Sequence, residues 1–425
     1  MLFRILIVLI GEIAGGIVAL VKPYLGLLCL LFLVFGRPQD DRPNVVALHV
    51  PLVITLAVLV GTVARLGTMK EYLVRACKQL WLVWLYFGLM IVSAAANGFT
   101  MQSTDRLNDF STVIVLCLMA LTWLSTETRL STFIWALIGC GLYIFQISLR
   151  NPRFMQEQIG GSHYTRMDLG GANLNFGRPN YLACLMAILL IMCISLLTAR
   201  LSKWINLVLL GCCGCFAFVM FRANSRGATL GIIVALLAFW LIQPGKLRNA
   251  LLLLLLAVFA YFAAPTEYWD RLSTISNYKE DASATSRLEL WDIGLKLIAE
   301  NPVLGIGPDN FQKYAFNSPH DAYIQAASEM GIPALFVYVA ILFSGFRAIW
   351  QVRTLSGSIQ IQAVATGVGI FGGLLIITVQ GFTTGLAHRE FVYMFVTLAY
   401  ALKNIATDRP EELQLDSPQN IEAVA

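Results

Sequence analysis

An arginine and a histidine stand where they could work on a phosphate-linked substrate. Arg287 falls in Ser286-Arg287-Leu288-Glu289, which reads as a capping box: Ser286 accepts from the third helical N–H and Glu289 reaches back. His320 falls in Ser318-Pro319-His320-Asp321, with Ser318 as cap, Pro319 at the first helical position and Asp321 closing the box. A helix start carries free N–H groups and a partial positive charge, so it attracts phosphate oxygens. A guanidinium there matches phosphate with paired donors. In a first turn the dipole favours neutral imidazole, the form that accepts a proton. The pair suggests a transfer reaction. The alternative stays open: Arg287 can pair with Glu289 or Asp292, and His320 can simply cap a loop.

Two short helices must position these residues. Leu288, Trp291, Leu295 and Ile298 share one face of the first, and Pro302 stops it. The second ends at Gly331, before Pro333, and Gly305-Ile306-Gly307-Pro308-Asp309-Asn310 forms a turn-rich connection. Both lie in 265–330, the longest interval that cannot span a membrane. Elsewhere apolar runs alternate with short polar connections. With 58% apolar and 13% charged residues in that pattern, the chain is a polytopic membrane protein rather than a soluble domain. The expected fold is all-α, with about twelve transmembrane helices and a helical external loop.

Residues 2–20 and 24–36, split at Lys22-Pro23, are each short for a span of about 20 residues, so they form one broken crossing or a shallow hairpin. Glu12 inside the first is an intramembrane carboxylate and a functional candidate. Further spans read at 45–64, 79–96, 109–125, 130–148, 180–198, 203–221, 227–243, 247–264, 331–349, 360–381 and 388–402. The nine cysteines avoid the large polar loops, so no external disulfide is expected. Cys212, Cys213 and Cys215 diverge on a helix and lack a second pair, so no metal is expected there.

Arg65, Lys70, Arg75 and Lys78, then Arg200 and Lys203, Lys246 and Arg248, and Arg347 and Arg353 mark alternate connections as cytoplasmic. Loops 149–179 and 265–330 are then external, within a membrane domain 1–402, and 403–425 is a disordered cytoplasmic tail. One short external connection breaks the charge rule: Phe221-Arg222-Ala223-Asn224-Ser225-Arg226-Gly227 carries two arginines at the mouths of spans. Arginines there, beside small residues that permit close approach, suggest an anionic ligand at the membrane surface, with headgroup snorkelling as the alternative. Arg153, His163, Arg166 and Arg178 add cations to the other external loop, and His388-Arg389 marks the last external turn.

Together these residues carry a resemblance. Ser225-Arg226-Gly227 opens one span; Arg287 precedes Trp291; Asn301-Pro302-Val303-Leu304-Gly305-Ile306-Gly307 follows; then come His320 and a helix ending Glu329-Met330-Gly331-Ile332-Pro333. In this order and membrane placement, over roughly 220–345, the chain resembles the O-antigen ligase family of bacterial inner-membrane proteins, whose relatives include O-antigen polymerases and protein O-glycosylation ligases. The resemblance implies a metal-independent glycosyltransferase in the inner membrane, its site facing the periplasm. The implied donor is an undecaprenyl-diphosphate-linked glycan, the acceptor a lipid A core sugar or a protein hydroxyl, with membrane lipids around it and no nucleic acid. It implies catalytic roles for His320, Arg287 and Arg226 and no cofactor. Arg222, Arg178, Asp321, Arg166 and Arg389 are the further substrate-binding candidates. The chain departs from many relatives in having Asp321, not Asn, after the histidine. A polymerase of the same superfamily and a transporter are the competing readings; a transporter should show internal repeats and charges near the midplane. Of the four histidines, His163 and His388 are expected to matter much less than His320.

The orientation has a direct test. Cysteines introduced at Gln156 and Asn277, in a background without native thiols, should react with an impermeant thiol reagent in intact spheroplasts, and one at Ser356 should not. Labelling at Ser356 alone reverses the topology.

Overall fold

A chain in hydrocarbon must satisfy its own backbone hydrogen bonds, and the apolar runs of this sequence do so as helices. The computed structural model describes residues 14–36, 50–150, 153–159, 162–168, 179–199, 201–243, 245–264, 266, 268–269, 282–354 and 361–408. After a helical stretch at 14–21 come α1 (Pro23–Leu31), α2 (Val50–Val63), α3 (Leu66–Gln79), α4 (Trp81–Ala96), α5 (Met101–Trp123) and α6 (Glu127–Arg150). Next are α7 (Pro179–Leu196), α8 (Lys203–Ala223), α9 (Arg226–Ile242) and α10 (Lys246–Ala263). Then follow α11 (Ala282–Glu300), α12 (Ala322–Met330), α13 (Ile332–Thr354), α14 (Ile361–Gly381) and α15 (Glu390–Thr407).

The fold is all-α as expected, with one short addition between α6 and α7. Strands β1 (Arg153–Ile159) and β2 (Ser162–Asp168) pair antiparallel, with Arg153 opposite Asp168 and Ile159 opposite Ser162. The expectation of about twelve spans is met only in part. Among the described residues six helices are long and apolar enough to cross a membrane, or seven if the pair Pro51–Val63 and Leu66–Gln79, bent by 113°, counts once. Other apolar helices are shorter: α4 has 16 residues and α9 has 17. At 1.5 Å per residue they reach about 24–26 Å, less than a hydrocarbon core of about 30 Å. Glu12 lies outside the described residues. The last helix continues to Thr407, so the tail begins later than residue 403.

Helix α7 is the axis of the bundle. It is apolar on every side, and such a helix belongs in an interior; its residues from Leu182 to Leu196 are all buried. It packs on α8 and α14, and α14 also receives α9. Gly372 on α14 lets Ile191 approach to where a Cβ would sit 2.7 Å away, the close packing that small residues permit between membrane helices. At the Lys22 break the exposed carbonyls of Leu20 and Val21 are taken by the Arg65 guanidinium at 3.0 and 2.6 Å.

The hairpin of α11 and α12 is docked both by apolar packing, with Ala322, Ala326 and Met330 of α12 in the main core, and by hydrogen bonds from its connecting turn. Its connecting turn meets the end of α4 and the start of α5. Ser93 Oγ lies 2.6 Å from the Leu304 carbonyl and 2.8 Å from that of Glu329. Asn97 donates to the Gly305 carbonyl at 3.2 Å, and Ser103 to that of Pro308 at 2.8 Å. The turn wraps the end of α12: Ile306 N–H donates to Ser328 O, Gly307 N–H to Glu329 O, and Ile332 N–H to Pro302 O. Gly331 has φ +88°, a left-handed backbone, and a Cβ there would stand 2.1 Å from Val303 O. Glycine alone satisfies both demands.

Gly331→Ala should therefore cost about 2 kcal/mol or more through strain and clash. Gly67→Ala, inside α3 with nothing within 4 Å of its Cβ, should be neutral or mildly stabilising. Thermal unfolding of the detergent-solubilised variants checks this: equal Tm values for both would refute the steric account.

Candidate functional site

The helix starts differ from the sequence boxes, and the difference relocates the chemistry. Helix α11 begins at Ala282, so Ser286 and Arg287 lie within it rather than at its end. Alanines at 282 and 284 are strong helix formers and carry the helix back past the box. Helix α12 begins at Ala322 with Asp321, not Ser318, as its cap. Asp321 Oδ1 accepts from the Tyr323 and Ile324 N–H groups at 2.8 Å each. His320 thus precedes the cap, in left-handed backbone at φ +50°, instead of sitting in the first turn. Burial pushes the Asp321 carboxyl above the usual carboxylate range, and the two N–H donors partly offset this.

Arg287 and His320 nevertheless share one wall. Trp291, a turn after Arg287, donates its Nε1–H to the Pro319 carbonyl at 3.0 Å, directly before His320. Helices α11 and α12 pack closely where Gly294 faces Ile324. Tyr323 then links this wall to the end of α14. Its hydroxyl donates to Thr378 O at 2.9 Å, its ring lies 4.5 Å from that of Phe382, and it packs against Gly381.

Arg226 reaches the same end of α14 from the other side. It opens α9 as read from the sequence: Ser225 is the cap, its Oγ accepting from Ala228 N–H at 3.5 Å, and Asn224 before it is left-handed. A Cβ on Gly227 would collide with Thr383 Oγ1, so only glycine lets α9 come this close. Gln380 donates to Asn180 O at 2.6 Å and ties in the start of α7. Arg389 stands 4.0 Å over the Tyr181 ring, and the Tyr181 hydroxyl donates to Gly385 O at 3.2 Å. Arg226, Arg287, His320 and Arg389 are all half-buried around this junction.

The other candidates fall elsewhere. Arg222 is exposed and lies 5.7 Å over Phe218 on its own helix. Arg166 is on β2 opposite Met155, with its side chain outside the description, and Arg178 lies outside the described residues. Among the described residues no three of His, Cys, Asp and Glu gather as a metal site.

Sequence reasoning missed the network behind the site. Glu329 and His388 are buried, with Oε2 and Nε2 3.0 Å apart. The same Oε2 accepts Asp309 N–H at 3.0 Å, and the Asp309 carboxylate meets Arg106 at 3.0 Å. The 3.0 Å contact has the length of an ion pair, yet burial opposes charge on both partners. It pushes the Glu329 carboxyl up to about 8, with Asp309 adding to the rise, and His388 down to about 3, with Arg106 adding to the fall. A neutral acid bonded to a neutral imidazole satisfies both groups. The partners are 59 residues apart and no local pattern announces them.

The pH dependence of stability follows with a definite sign. An unfolded glutamic acid ionises near 4.5, so the folded state loses stability as pH rises from there towards 8, where Glu329 finally ionises. Buried His388 loses stability in the opposite sense, as pH falls below 6.5. The slopes oppose each other between these values, and above 6.5 only Glu329 acts. Wild-type Tm should therefore fall more between pH 6.5 and 8 than that of Glu329→Gln. Parallel curves would contradict the neutral pair.

No curated protein matches the chain. Residues 211–339, from the middle of α8 into α13, match a family profile described as O-Antigen ligase. That segment contains Arg226, Arg287 and His320 with the glycine turn between them. Its transfer chemistry is of the ligase and polymerase type, in a chain whose apolar helices make it a membrane protein. Over residues 211–339 the chain is similar to the O-antigen ligase family.

Proposed function

We propose that the protein transfers a glycan from undecaprenyl diphosphate to an acceptor hydroxyl, on a lipid A core sugar or a protein, at the periplasmic face of the bacterial inner membrane. The observation that supports this reading is the approach of the start of α9, which carries Arg226, and the α12 wall, which carries Arg287 and His320, to one end of α14. The donor already holds a diphosphate on its anomeric carbon, so departure requires charge stabilisation and not protonation. Arg226 supplies a guanidinium beside the free N–H groups of α9, and Arg287 a second cation; a fixed dipole and paired donors stabilise developing charge without reorganisation. The acceptor oxygen attacks the anomeric carbon from the face opposite the diphosphate. The carbon–oxygen bond to diphosphate breaks, the configuration inverts, and the acceptor proton passes to His320. Asp321 is the neighbouring carboxylate, but its Oδ1 is spent on the helix cap. The apolar helices around the junction leave the lipid tail in the bilayer while the glycan extends into water. No metal enters this scheme.

His320→Ala should insert normally and bind donor, yet transfer about a hundredfold more slowly or worse, the scale of a lost general base. Arg226→Lys and Arg287→Lys should each weaken donor use by about 1–3 kcal/mol, because a point charge lacks the paired fork. Purified protein, lipid-linked donor and lipid A core acceptor provide the assay. Near-normal transfer by His320→Ala would remove it as base, and unchanged kinetics in both lysine variants would return the arginines to headgroup contact. Acceptance of a second lipid-linked glycan in place of the core sugar would identify the polymerase reaction.

A further inference from the structure

The turn between α14 and α15 meets the end of α12 in a contact that the transfer scheme leaves unused. Glu329 and His388 side chains are 1% and 3% exposed. One more bond reaches the same carboxyl: Asp309 N–H donates to Oε2 at 3.0 Å, and the Gln325 side chain, one turn earlier on α12, lies beside it. The Gln325 oxygen is buried without a hydrogen-bond partner and faces Gly385, 2.8 Å from where a Cβ would stand. His388 Nδ1 is likewise buried with no partner. Polar groups in such a place do little for stability, since apolar side chains of the same volume serve as well or better. They do define one geometry, because the bond forms at a single separation and angle.

That geometry joins two parts of the candidate site. Helix α12 is one rigid unit of nine residues with His320 and Asp321 ahead of its first turn and Glu329 in its last. His388 is followed directly by Arg389, which stands over Tyr181, whose hydroxyl holds Gly385 in the same turn. We propose that Glu329 and His388 are positioning residues: their buried hydrogen bond fixes the turn carrying Arg389 against the helix that follows His320. The inference rests on reading His320 as the base and Arg389 as a substrate contact. The cations that grip the diphosphate, Arg389 among them, and the base His320 must be in register for the acceptor oxygen to meet the anomeric carbon. A misplacement of about 1 Å is enough to cost a hundredfold in rate. His388, which sequence alone ranks below His320, thereby matters through its partner.

The test uses full-length protein in nanodiscs, a synthetic undecaprenyl-diphosphate disaccharide as donor and lipid A core as acceptor, with kcat expressed per folded molecule. Glu329→Ala should lower kcat by about tenfold or more while donor KM stays within about twofold, since orientation and not grip is lost. Glu329→Gln should keep most of the wild-type kcat: its oxygen still accepts from Asp309 and His388, and its amide can face the free oxygen of a turned Gln325. A merely structural role would reduce folded protein and leave kcat per folded molecule alone, and that result overturns the proposal. Equal losses in the Gln and Ala variants overturn it too, because a charge would then be required. If Glu329→Ala does not fold, His388→Asn, too short to reach Glu329, carries the same expectation and the same failure condition. Absence of transfer by the wild type would instead overturn the functional reading itself.

Discussion

Pro302 and Ile332 are joined by one backbone hydrogen bond, and the segment between them closes on itself through glycine contacts that no other residue can make. A chain that leaves the bilayer and returns must solve two problems: its backbone polar groups need partners, and it must be held in one place without a large apolar core. Here both solutions coincide. Carbonyls of the 304–310 turn and of the end of α12 receive donors from α4 and α5, so the groups that need satisfaction are also the anchors. The small apolar cluster of Leu290, Leu297, Ile306 and Phe311 fills the inside of the hairpin. Its exposed ion pair, Lys296 with Asp292, adds little, as is usual for solvent-screened pairs.

Electrostatics divide into two layers. At the junction near α14 the cations are half-buried. Behind them Glu329 and His388 are packed away from water, while the Arg106–Asp309 ion pair beside them keeps partial exposure. Arg106 and Asp309 keep an ion pair, whereas the Glu329–His388 contact is neutral. The inner layer cannot grip an anion.

The sequence was most legible where one physical rule dominated. Apolar runs marked the helices, and Ser225-Arg226-Gly227 marked a helix start because a serine cap and a close-packing glycine leave few alternatives. Capping boxes misled where two caps competed: Asp321 lies nearer the apolar run of α12 than Ser318 and binds two N–H groups. At Ser286 the preceding alanines simply extended the helix. The strand pair was visible in principle, since two seven-residue runs flank Gly160-Gly161, a hairpin signal hidden inside a loop read only for its charge. Glu329 with His388, and Tyr181 with Arg389, depend on tertiary contact. Only the fold could bring them together.

Helix α15 begins beside His388 and ends where Arg75 of α3 pairs with Asp408 and where Gln79 and Asn404 exchange side-chain hydrogen bonds at 2.7 and 2.9 Å. It is therefore fastened at both ends. Its 18 residues measure about 27 Å at 1.5 Å per residue. A rod fastened in this way keeps the turn at His388 a fixed distance from the contact with α3 and cannot slide along its axis. In a thicker or thinner bilayer the bundle must tilt as a whole or deform the lipid around it, so the junction at α14 keeps its internal spacing while its depth relative to the headgroups changes.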